Sequence, residues 1–158
     1  MTMPGSSPPP PSPHPLGADA PTKDYVGLAM ATMGLAIMVG TAILSVVTWT
    51  VRTVQVYQPP PPPGELGLAG TVLLGGTLTG LLVSGAIVWT ALSPVRSPYR
   101  QGGLAMATVF ATILVAFIAT FVADNFLGRT GLLILAGLAS AIAWMASRAV
   151  ARERAAVA

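Results

Sequence analysis

The sequence predicts an all-α integral membrane protein: four transmembrane helices in a bundle behind a disordered, proline-rich N-terminal tail. Three observations predict it. Four long stretches, Tyr25–Val51, Leu66–Val95, Gln101–Ala123 and Thr130–Ser147, contain no charged residue. The shortest has 18 residues, about 27 Å as a helix against a hydrocarbon core of about 30 Å. Charged residues are 8% of the 158-residue chain, where a soluble domain carries about 25%. Apolar residues reach 53% and mean hydropathy is +0.73. One charge at the bilayer centre costs about 2.5–3.5 kcal/mol, so four charge-free windows mark a chain shaped for lipid. A soluble bundle would need polar helix faces, which these segments lack.

Residues 1–24 read as a solvated tail. Pro8–Pro11 and the prolines at 13, 15 and 21 leave too few large apolar side chains to offset the entropy of folding. The first apolar run is 27 residues long. That exceeds the 7–15 residues of a signal-peptide core, so it reads as a retained anchor. The first helix is expected over 25–51. A loop follows from Arg52 to Glu65, in which Pro59–Pro63 as polyproline II would form a stiff spacer of about 15 Å.

The second helix, expected over 66–92, must stop before Pro94, whose ring removes a donor and clashes with the preceding turn. A short connection leads to a third helix at 101–123, a turn at Asp124–Arg129, and a fourth helix at 130–147. Residues 25–148 thus make one transmembrane domain, and 149–158 a basic tail.

Basic residues set the expected orientation. Lys23, Arg96, Arg100, Arg148, Arg152 and Arg154 fall on one side of such a bundle, and Arg52 and Arg129 on the other. Positively charged loops stay in the cytoplasm, which places both termini there. Tyr25, Trp89, Tyr99 and Trp144 lie near the inner boundary, with Trp49 and Tyr57 near the outer. Seven Arg to one Lys, with abundant Ala, Gly and Pro, suggests a GC-rich bacterial genome and so a bacterial cytoplasmic membrane. The hexapeptide Gly27–Thr32 recurs letter for letter as Gly103–Thr108. That match hints at a duplicated helical hairpin, although low-complexity sequence also matches by chance.

Little in the chain carries chemistry. There is no cysteine, which excludes disulfides, lipoprotein acylation and thiolate metal sites. The one histidine, His14, sits between prolines in the tail, so no Ser–His or Cys–His pair forms within the membrane. No catalytic residue, metal or cofactor is therefore expected, and the chain reads as a non-enzyme. A net charge of +3, thinly spread, implies no nucleic-acid partner.

Two patterns remain as candidate sites. Thr108, Thr112, Thr120 and Asp124 recur at multiples of four residues and share one helix face. They form either a polar seam leading to an acidic mouth or threonines bonded to their own i−4 carbonyls, with Asp124 ending the helix in water beside Arg129. The second pattern is steric. Gly76-x-x-x-Gly80-x-x-x-Ser84 makes a small-residue groove on the second helix, with Gly103 and Ala107 on the third and Gly137 on the fourth. In lipid, helices associate by close backbone approach rather than by hydrophobic gain, so these are the expected packing positions.

The expected function is accordingly a non-catalytic polytopic protein, an accessory or assembly subunit in the lipid bilayer that packs on another membrane protein or on itself. The alternative is a small homo-oligomeric transporter or channel. Proton and cation carriers normally place Asp, Glu or His at membrane depth, and the four segments contain none.

Overall fold

A computed structural model describes residues 24–93 and 98–157, and every regular element in them is a helix. Residues 1–23 of the expected disordered tail and 94–97 of the expected 93–100 connection lie outside the described residues. Three helices follow in order: α1 (Asp24–Tyr57), α2 (Leu68–Ala91) and α3 (Pro98–Val157). All three are long and apolar enough to cross a membrane.

The chemistry of the chain explains the ends. α1 continues through Arg52, past the charge-free window, because that arginine finds a carboxylate on α3. α2 stops at Ala91, just ahead of Pro94. α3 opens on Pro98, a residue pre-organised for the first helical position. It runs on through the basic stretch after Ser147, where Ala, Arg and Glu, all good helix formers, outnumber the two valines. Residues 149–157 are thus an extension of the helix.

The expected turn at 124–129 is tighter than the sequence indicates. Helical backbone reaches Leu127, breaks only at Gly128, and resumes at once. Gly128 has φ +60° and ψ −150°, a conformation effectively open only to glycine. At Gly131 a Cβ would lie 2.5 Å from the Ala123 carbonyl oxygen. The two arms of α3, 98–127 and 129–157, consequently double back on one another. Asp124 and Arg129 meet the end of α1 near Arg52 and Thr53. Val150, on the far arm, packs in one cluster with Leu28, Val88 and Leu92, against which Leu104 also rests.

α1 is the central helix and touches both α2 and α3. It approaches α2 where Gly76 faces Val47 and Gly80 faces Ile43 and Leu44. Near its middle, Gly40 lies between Ser84 of α2 and Thr112 of α3, so three helices converge at a position with no side chain.

The distribution of side chains is inverted relative to a soluble protein. The interior holds mostly small and hydroxyl residues, among them Ala36, Thr41, Ser45, Ser84, Thr108, Thr112, Ala116 and Ala139. Leu78, Leu82, Phe110, Leu114, Phe117, Phe121, Ile134 and Leu138 point outward, each more than half exposed. An apolar exterior this extensive would not stay dispersed in water, whereas lipid solvates it without cost. The all-helical fold, its three span-length apolar helices and this surface are compatible with an integral membrane protein.

Candidate functional site

The threonine face of α3 turns into the protein. Thr108 and Thr112 are fully buried and Thr120 nearly so, and Thr41 and Ser45 of α1 are also buried. Each hydroxyl on the α3 face donates to a carbonyl one turn back: Thr108 to Leu104 (2.7 Å), Thr112 to Thr108 (2.8 Å) and Thr120 to Ala116 (2.6 Å). Thr41 and Ser45 do the same on α1. A hydroxyl bonded within its own helix is satisfied in an apolar interior and leaves only a lone pair for a passing ligand. Thr32 is the exception, fully buried with no partner for its hydroxyl among the described residues.

Ser84 bridges α2 and α1 through its hydroxyl. Its hydroxyl is shared between the Gly80 carbonyl of its own helix (2.9 Å) and the Ala36 carbonyl of α1 (3.1 Å). Such a cross-helix bond needs close backbones, and Gly80 and Gly40 beside it allow that approach.

Asp124 ends the threonine face, and its partner is Arg52 of α1. The two form an ion pair, with the arginine Nε donating to a carboxylate oxygen at 3.0 Å. Arg129 turns instead to the Thr53 hydroxyl at 3.1 Å, so the expected pairing of Asp124 with Arg129 across the turn does not form. The Asp124 side chain is 15% exposed and Arg52 52%, which sets the pair at the rim of the bundle with one side open.

The small residues divide into two groups. Gly76, Gly80 and Ser84 face α1 as described. Gly103 and Ala107 lie on the outer side of the first α3 arm, and Gly137 on the outer side of the second. No neighbouring residue comes within 4 Å of a Cβ built at Gly103 or Gly137. Gly103 and Gly137 therefore border open space, and Ala107 is exposed.

Arg52 was not foreseen, nor was the small face of α1 that receives α2 and α3. The signal for the face was present: Thr32, Ala36 and Gly40 recur every four residues, with Thr41 and Ser45 beside them. A separate open cleft lies between Pro59–Pro62 of the loop and the start of α2. Glu65 is the one charged residue on its wall.

Comparison with family models, with curated proteins and with solved structures found no match.

Proposed function

We propose that the chain is a non-catalytic membrane protein that crosses the bilayer four times and serves as an accessory or assembly subunit. Each α3 arm counts as a crossing in this reading, since at about 1.5 Å per residue either arm exceeds the roughly 30 Å hydrocarbon core. The observation that carries the reading is the state of Asp124. A carboxylate that carries protons or cations must bind and release them in turn, and this one is held by an arginine. The α3 hydroxyls below it are already bonded to backbone, so the seam offers no continuous path of open donors and acceptors.

A partner is supported by the first α3 arm. Gly103 and Ala107 leave a shallow notch on a face that otherwise carries Phe110, Leu114 and Phe117. A helix from another protein fits such a notch by backbone approach.

The test is a cysteine at Ala107 in native membranes, clean because the chain has none of its own, followed by oxidative crosslinking and mass spectrometry after extraction in mild detergent. The expected product joins this chain to one particular foreign membrane subunit. A product made only of this chain, together with ion or solute flux in liposomes, would overturn the assignment in favour of a homo-oligomeric transporter.

A further inference from the structure

The outward face of the second α3 arm carries a pattern that helix packing does not use. Gly137, Ala141, Trp144, Arg148 and Arg152 fall within an arc of roughly 80° at 100° per residue. All are exposed, while Leu132, Ala136, Ala139, Ala143 and Val150 occupy the opposite, buried side of the same arm. The order along the axis runs from a bare notch, through an aromatic ring, to two cations.

Each part has its own chemistry. The Arg148 guanidinium lies 3.7 Å from the centre of the Trp144 ring, a cation–π contact that holds it over the indole and leaves its edges pointing outward. Arg152 sits one turn beyond, and neither arginine forms an ion pair with any described residue. The adjacent carboxylate, Glu153, is turned to the other side, where it faces Gly27 of α1. Arg154 also turns inward, donating to the Ser93 hydroxyl at 3.4 Å. Two positive charges on this outward side therefore have no ion-pair partner among the described residues.

The spacing matches a membrane boundary. Tryptophan favours the headgroup level, and Arg148 and Arg152 lie about 6 and 12 Å further along the axis. A headgroup layer is about 5–8 Å deep on each side, so the two guanidiniums span it.

We propose that this face binds an anionic phospholipid. The headgroup phosphate is held by Arg148 and Arg152, the glycerol level meets the Trp144 ring, and one acyl chain lies in the notch left by Gly137 and Ala141. Guanidinium forks suit phosphate oxygens, and the notch suits a methylene chain. The site rests on the chain lying in a bilayer but not on its having a protein partner, so either reading can fail alone. It gives Gly137 a lipid in place of the helix expected there.

Native mass spectrometry of the full purified chain tests it, with phosphatidylglycerol and phosphatidylcholine of identical acyl chains added in equal amounts. The expected result is a clear excess of phosphatidylglycerol adducts on the wild type. Replacing both arginines (R148Q/R152Q) should lower that preference by about 30-fold, near five-fold for each charge. R52Q, at the far end of the bundle, should keep it. Gly137→Trp should reduce adducts of both lipids by filling the notch, and its side chain enters open space, so the fold is retained. Should the double variant fail to purify, R152Q alone provides the comparison, since that exposed side chain forms no hydrogen bond or ion pair with a described residue. Equal adducts on the wild type, or a preference unchanged in the arginine variants, would overturn the site. So would full competition by millimolar inorganic phosphate, which would mark a free-anion site, or a crosslink from a cysteine at position 137 to another polypeptide.

Discussion

At the residue scale, the Arg52–Asp124 pair shows how a charge is kept at the edge of an apolar bundle. Asp124 is mostly shielded while Arg52 is half open to its surroundings, so the attraction is partly screened and its net worth is about 0.5–1 kcal/mol. Asp124→Asn should therefore lower the melting temperature in detergent only slightly. Arg52→Gln should lower it by a similar amount. The double variant should cost no more than either one, because the two groups act on each other and a double-mutant cycle reports that coupling. Strict additivity would show that the pair does not form in the membrane. Loss of proton- or sodium-coupled flux on making Asp124→Asn would do more, since it would assign this carboxylate to transport.

At the element scale, α2 contains its own control. Gly75 and Gly76 are adjacent, but a Cβ at Gly76 would run into Val47 of α1 while one at Gly75 meets nothing within 4 Å. Gly75→Ala should be neutral or should stabilise by up to about 1 kcal/mol, through helix propensity. Gly76→Ala should destabilise by about 1–3 kcal/mol, because a methyl group is forced into packed side chains. Thermal unfolding of the two variants in one detergent decides the matter, and equal stabilities would turn this α2 face toward lipid. The i, i+4 spacing of Gly76, Gly80 and Ser84 marks one helix face in the sequence, but the sequence does not name what lies against it. Val47, Ile43 and Gly40 belong to another helix, and their relation to α2 depends on rotation and depth. The same limit explains Asp124. Arg129 is the near basic residue along the chain, whereas Arg52 becomes near only when α1 and α3 pack. Helix interiors were legible because avoiding charge is a property of each segment alone. Helix ends were less so, since Arg52 and Asp124 are tolerated in helix once paired, and Gly128 and Gly131 compress the turn to almost nothing.

At the scale of the whole molecule, the ends of the helices sort the charges. Arg148, Arg152 and Arg154 lie at the end of the bundle shared by the start of α1 and the close of α2, with Arg52 and Arg129 at the other. If α3 crosses twice, basic residues concentrate on the side that holds both termini, which the positive-inside rule assigns to the cytoplasm. Single cysteines report this directly, because the chain has none of its own. A cysteine at Ala155, exposed near the end of α3, should react with a membrane-impermeant maleimide only after the cells are opened. One at Gln58, exposed at the start of the proline loop, should react in intact cells. The reverse pattern would invert the protein. A third cysteine, at exposed Thr130 just past Gly128, decides how many times α3 crosses. Labelling from the same side as Gln58 fits two crossings, because the turn then emerges beside the end of α1. Labelling from the side of Ala155, or protection from both, would reduce the chain to fewer than four spans and remove the basis for its orientation.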